Sequence, residues 1–237
     1  MRTFLVALVV LALLGVAGDR VAHQIVTDQA ESRLAAEGLS EPTVDVGGFP
    51  FLDQLLRRRF DQVRVKATTL RTDRGQARDV RATARDVAAP SGGQVTVSRL
   101  SARGTVTYAE VLRQVGVEGL RLGSAGNGTV RLRRDVTVLG QRVTASAVGR
   151  VEPRGRRIRV VPTSVELADG SELAGELAAA LGNQLSFTFR LRDLPRGVVV
   201  RRVVPEADGF VVSLSGADVS FPLGAGAATA GELTVPQ

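Results

Sequence analysis

From Val63 onward the apolar side chains of this chain fall at every second position in one run after another. Val63, Val65 and Ala67 alternate with Arg64, Lys66 and Thr68. Val80, Ala82 and Ala84 alternate with Arg81, Thr83 and Arg85, and Leu100, Ala102, Gly104 and Val106 with Arg99, Ser101, Arg103 and Thr105. A period of two sends successive side chains to opposite faces of a strand, so each run predicts a strand with one apolar and one solvated face, as in antiparallel sheets. Further strands are expected at 129–133, 136–139, 142–151, 156–161, 165–167, 198–204 and 210–214. Turn signals separate them at Ser91-Gly92-Gly93, Gly126-Asn127-Gly128, Leu139-Gly140-Gln141, Pro153-Arg154-Gly155 and Ala207-Asp208-Gly209.

Three segments carry a helical period instead. In 19–37, Ala22, Val26, Ala30 and Leu34 share one face, and Gly38 is a stop. A short helix is expected at 108–115. In 171–185, Leu173, Leu177, Leu181 and Leu185 form an i, i+4 stripe, with Ser171 as N-cap and Glu172 in the first turn. The pattern predicts one α+β domain over 19–223, in which a long, curved antiparallel β-sheet wraps around helices. The Gly/Ala-rich stretch 224–237 is expected to be a loose tail.

Residues 1–18 read as a signal peptide or signal anchor. Arg2 supplies a positive start, and an uninterrupted apolar run from Phe4 to Ala17 ends at Asp19 and Arg20. Its length suits a signal h-region and is short of the roughly 20 apolar residues of a spanning helix. Cleavage and retention as an anchor both fit, and either places the domain outside the cytoplasm. The chain has no cysteine, which excludes disulfides, thiolate metal sites and a lipidated N-terminal cysteine.

The formal net charge of +7 invites a nucleic-acid reading. The basic residues are spread along the chain, Lys66 is the only lysine, and aromatics are only 4% with no Trp, so stacking platforms for single strands are scarce. For an exported chain, anionic lipid headgroups or cell-wall polymers are better partners. Catalytic inventories are thin as well. The single histidine, His23, lies in the first helix, no G-x-S-x-G occurs, and the glycine-rich tracts lack phosphate-loop or dinucleotide spacing. A carboxylate pair is the remaining option, but Asp61, Asp79, Asp86 and Asp135 sit in turns or on polar strand faces. No catalytic residue, metal site or cofactor is expected.

One block stands apart: Gly47-Gly48-Phe49-Pro50-Phe51-Leu52-Asp53-Gln54-Leu55-Leu56, followed by Arg57-Arg58-Arg59 and Phe60. Pro50 holds Phe49 extended, and Leu52, Leu55 and Leu56 fit one face of a helical turn. Two readings are open. As an interfacial wedge, the apolar side chains enter an acyl region while guanidinium groups meet phosphates. As a core plug, the block closes one end of the sheet and the arginines are solvated.

The same block, with the strand Phe60-Asp61-Gln62-Val63-Arg64-Val65 after it, resembles the LmeA-like family of actinobacterial envelope proteins. Val106-Thr107-Tyr108-Ala109-Glu110-Val111-Leu112 agrees, as do Leu194-Pro195-Arg196-Gly197-Val198, Asp208-Gly209-Phe210-Val211-Val212 and Gly216-Ala217-Asp218-Val219. The resemblance implies an exported phospholipid-binding protein of the cell envelope with a fold similar to tubular lipid-binding domains. It implies a link to lipoglycan or envelope assembly, and it brings no catalytic motif.

Small apolar residues (Ala67, Ala82, Ala84, Ala102, Ala145, Ala147) leave space for a groove between sheet and leucine stripe. The expected lipid-binding residues are Phe49, Phe51, Leu52, Leu55, Leu56, Phe60, Leu173, Leu177 and Leu181, with Arg57, Arg58 and Arg59 toward the headgroup of an anionic phospholipid at a membrane surface. The rivals are an assembly factor that binds a protein partner and a polysaccharide-active enzyme.

Overall fold

The computed structural model describes residues 27–222 except 29, 33, 37, 73–74, 90–93, 139–140, 168–174 and 192–193. The expectations for 1–18, His23, Ser171, Leu173 and the tail 224–237 lie outside these residues.

The α+β class with antiparallel strands is what the chain adopts, and its strands divide between two sheets. In the first sheet, β3 (Arg59–Thr72), β4 (Gly75–Ala88) and β5 (Gln94–Thr107) run as consecutive antiparallel neighbours. The short strands β1 (Leu39–Ser40) and β2 (Thr43–Gly47) both pair with the free edge of β3. The chain then leaves through a helix at Tyr108–Val115, whose first turn is capped by the Thr107 hydroxyl accepting from the Glu110 amide at 3.2 Å.

The second sheet is the meander β6 (Arg121–Gly126), β7 (Thr129–Val138), β8 (Gln141–Arg154) and β9 (Arg157–Leu167). A helix at Gly175–Leu185 leads to β10 (Phe187–Arg190), which pairs with the outer edge of β9. The hairpin β11 (Val198–Pro205) and β12 (Gly209–Pro222) then returns to the first sheet, where β12 pairs with β5.

Several strands are longer than their apolar runs. The pairs of runs expected at 129–133 with 136–139, and at 156–161 with 165–167, are single strands, and the run at 210–214 is the start of a fourteen-residue strand. Pro162 breaks the alternation within β9 without ending it. It lies opposite Gly149 where the β8–β9 register shifts, a place where the missing proline N–H is tolerated.

Two separate cores result among the described residues. The main one lies between the second sheet, the Tyr108 and Gly175 helices and the β11–β12 hairpin. Leu132, Ile158, Val160, Leu185, Val111 and Phe210 are almost fully buried there. Tyr108 stands edge-on to Phe210, with ring centroids 5.1 Å apart, and its hydroxyl donates to the Glu206 carbonyl at 2.7 Å. The smaller core consists of Val44, Val46 and Phe51, with Leu55, Phe60, Val63, Val65 and, from the helical residues before β1, Ala30 and Leu34.

A seam crosses the first sheet between these cores. The ladder lacks the pairs 61–86, 86–98 and 98–218, although the pairs on either side are in place. Asp86 and Asp218 on this line adopt φ of 52° and 49°. Each left-handed residue leaves two successive positions pointing outward. Arg85 and Asp86 are both exposed, as are Ala217 and Asp218, while Val87 and Val219 are buried. The apolar face therefore continues across the seam instead of changing sides, which a regular strand would force.

Candidate functional site

Between the two cores, the alternation read from the sequence leaves a stretch of the first sheet whose apolar side chains are only partly buried. Directly opposed residues of an antiparallel pair share a face. One row runs Val63, Ala84, Leu100, Gly216, and the next runs Val65, Ala82, Ala102, Leu214. Val80 of β4 comes next, against Gly104 of β5. At one end Val63 and Val65 touch the small core, and at the other Leu214 touches the main core. Val80, Ala82, Ala84, Leu100 and Ala102 belong to neither and are half-buried. At ordinary strand spacing and rise the strip measures roughly 14 Å across the strands and 13 Å along them.

Small residues shape this strip. Ala82, Ala84, Ala102 and Gly104 contribute only small or no side chains to it. Ala145 and Ala147, expected to leave similar space, are instead fully packed in the main core, and Ala67 is buried beside the strip. The sequence reading missed Val63, Val65, Val80, Leu100 and Leu214 as strip residues. Their signal was present in the alternation, but which alternating runs stay uncovered depends on where the two cores end.

The Phe-Pro-Phe block sits at the strip's Val63 end and has a buried side and an exposed side. Phe51 is the plug: it is 1% exposed and packs on Phe60 with ring centroids 6.3 Å apart. Leu55 and Phe60 are half-buried around it. Phe49, Leu52 and Leu56 form the outward side, at 72%, 37% and 84% exposure, and are the large hydrophobic side chains left exposed among the described residues. The split follows from the helix Phe51–Arg57, in which positions 52 and 56 share a face one turn apart while 51 and 55 face the sheet.

Arg57, Arg58 and Arg59 are all exposed next to this apolar side. Arg57 pairs with Asp53 one turn back at 2.9 Å. Arg58 ends the helix with φ 51°, its amide donating to the carbonyls of Gln54 and Leu55. The buried Gln54 locks the helix to the strand, since its side-chain oxygen accepts from the Asp61 amide at 3.0 Å. Gly48, at φ 112°, makes room for that amide group.

Of the leucine stripe, Leu181 and Leu185 are buried in the main core, and Leu177 contributes no described side chain. Leu181 thus lies apart from the Phe49–Phe60 block and helps hold the second sheet together. Asp61, Asp79, Asp86 and Asp135 are exposed, with Asp86 bonded to Arg99 at 3.3 Å and Asp135 to the Thr144 hydroxyl at 2.7 Å. Among the described residues no group of His, Asp or Glu could hold a metal ion, and no helix is long and apolar enough to cross a membrane. The buried carboxylate Glu110 pairs with Arg113 and accepts from Gln114 at 3.0 Å. Tyr108 has its pKa raised to about 12 by burial and by the charges of Asp208 and Glu206.

Among the described residues the arrangement offers an apolar surface with a basic margin. A family model described as LmeA-like phospholipid-binding matches residues 17–215, which is most of the chain. No curated protein and no solved structure matches it.

Proposed function

The chain belongs to the LmeA-like phospholipid-binding family, and from this membership we propose that acyl chains lie on the strip of Val80, Ala82, Ala84, Leu100 and Ala102. The observation that carries this reading is a partly buried apolar sheet face that, among the described residues, belongs to neither core. Each methylene removed from water contributes about 0.8 kcal/mol, so burying half of a long acyl chain, on the order of eight methylenes, gives about 6 kcal/mol before the cost of ordering the lipid.

In this reading Phe49, Leu52 and Leu56 enter the membrane interface, where the exposed side chains would otherwise face water. Arg57, Arg58 and Arg59 meet headgroup phosphates and favour anionic lipid. Phe51, Leu55 and Phe60 hold this wedge on the sheet. The protein acts by binding and not by a covalent step. With residues 1–18 as a leader or anchor, it works on the outer face of the cytoplasmic membrane, in support of lipoglycan or envelope assembly.

Lipid extracted from gently purified protein and identified by mass spectrometry tests this function. A stoichiometric phospholipid is the expected result. Preparations that carry none, and that leave anionic and neutral vesicles equally unbound, would rule the reading out.

A further inference from the structure

The arginines that are spread along the sequence converge at one end of the second sheet. A cavity of about 740 Å³ there is lined by Arg154, Arg156, Arg157, Arg159 and Arg190. Register explains the convergence. Arg154 of β8 lies directly opposite Arg157 of β9, which in turn lies opposite Arg190 of β10. Like charges in direct opposition destabilise a sheet, and here three are aligned across three strands. Arg159 occupies the next row on the same face, between Thr188 of β10 and Glu152 of β8.

The backbone that carries the cluster is tied down by hydrogen bonds of its own. Gly155 turns the chain at φ 62°, and its carbonyl accepts from the Val200 amide at 2.7 Å. The Arg156 carbonyl accepts from the Leu191 amide at 3.0 Å. The β8–β9 turn is thereby tied to both β10 and β11. Glu152 is the carboxylate that the register places among these five arginines, so positive charge is in excess. Arg154 pairs with Glu152 at 3.2 Å, while Arg156, Arg157, Arg159 and Arg190 have no carboxylate within ion-pair distance among the described residues. The Nε of Arg156 is buried without a hydrogen-bond acceptor, a costly state for a cationic donor.

We infer that this cavity is a binding site for the phosphate group of an organic phosphate. Several guanidinium forks around one cavity match a compact anion with several acceptor oxygens, which can take bidentate bonds from more than one arginine. A second cavity of about 320 Å³ adjoins it, sharing Arg159 and Ser186, between β9 and the Gly175 helix. Val161, Pro162, Val165 and Ala178 line that space, which suits a carbon-bearing substituent better than a free inorganic ion. The site lies on the second sheet, apart from the apolar strip on the first, and goes beyond the acyl-chain reading. The phosphate can belong to a lipid headgroup or to a soluble phosphate ester.

The test uses the full chain and the double variant Arg157→Gln/Arg190→Gln, with Arg131→Gln/Arg133→Gln on exposed positions of β7 as the equal-charge control. Glycerol 3-phosphate binding is followed by calorimetry, with inorganic phosphate alongside. Flotation uses vesicles of phosphatidylcholine with or without phosphatidylglycerol. Wild type and control are expected to bind glycerol 3-phosphate alike and more tightly than inorganic phosphate, and the pocket variant at least tenfold more weakly. Loss of flotation with phosphatidylglycerol in the same variant assigns the phosphate to a lipid, and unchanged flotation assigns it to a soluble ester. Equal binding by all three proteins, or an equal loss in the control, overturns the site. Arg159→Gln repeats the measurement should the double variant fail to fold. Retention of lipid on the strip is independent of these arginines, so a failed pocket leaves the acyl-chain reading standing, and the reverse.

Discussion

The ring of Phe51 rests against that of Phe60 at a centroid distance of 6.3 Å and an interplanar angle of 34°. This contact joins the short helix to the first residues of β3, and it leaves the two aromatic residues of the Phe49-Pro50-Phe51 block on opposite sides, one buried and one exposed. Phe51 is 1% exposed and Phe49 is 72% exposed. Removing the buried ring empties the small core, so Phe51→Ala should cost about 3–5 kcal/mol in denaturant unfolding. Phe49→Ala and Leu56→Ala should leave stability within about 0.5 kcal/mol of wild type while weakening binding to anionic vesicles. Equal destabilisation by Phe49→Ala and Phe51→Ala would show that the block is only a plug.

Asp86 sits on the seam with φ 52°, a region that Asp and Gly visit and β-branched residues avoid. Its bond to Arg99 is between exposed groups and contributes little. Asp86→Gly should therefore change stability by less than about 1 kcal/mol, whereas Asp86→Val should destabilise by about 1–3 kcal/mol. Chemical denaturation of the two variants compares them directly, and an Asp86→Val protein as stable as the glycine variant would mean that the strand passes the seam without a left-handed residue.

Tyr108 is the only tyrosine and the chain has no tryptophan, so absorbance at 295 nm titrates this hydroxyl alone. Its folded-state pKa of about 12 lies above the ordinary value of 10.0, chiefly because burial disfavours the phenolate. The folded state then holds the proton more tightly, and the associated stability is complete below pH 10 and lost as pH rises toward 12. The native protein should titrate near 12 and the urea-unfolded chain near 10. In Tyr108→Phe the fall in stability between these pH values should be smaller. A native midpoint near 10 would mean that the hydroxyl is solvated and not bonded to the Glu206 carbonyl.

The antiparallel class was legible because Val80-Ala82-Ala84 and Leu100-Ala102-Gly104 follow the strand period without interruption. The seam was legible only in part. Its mark in the sequence is two polar or small residues between apolar ones, as in Ala84-Arg85-Asp86-Val87 and Val97-Ser98-Arg99-Leu100. Alone, such a spacing reads equally well as the end of a strand. The division of the strands into two sheets, and the joining of β12 to β5 across a hundred residues, depend on packing that no local period records. The exposed Phe49 and Leu56 and the buried Phe51 were all visible as one apolar block, and only the placement of the helix on β3 separates them. Arg154, Arg156, Arg157 and Arg159 are close in sequence, but Arg190 reaches them through the four-residue strand β10, too short for its alternation to be read.

Acyl chains on the strip can be detected directly, since the native chain contains no tryptophan to interfere. Ala102→Trp places an indole on the strip, and Ser101→Trp places one on the opposite, solvated face of the same strand. Loading each protein with a phospholipid brominated along its acyl chains, and comparing tryptophan fluorescence with the unbrominated lipid, reads contact with the chains. Strong quenching and a blue-shifted emission for Ala102→Trp, with neither for Ser101→Trp, is the predicted result. Equal quenching of the two, or none at position 102 while lipid is bound, would contradict the placement of acyl chains on this face of the sheet.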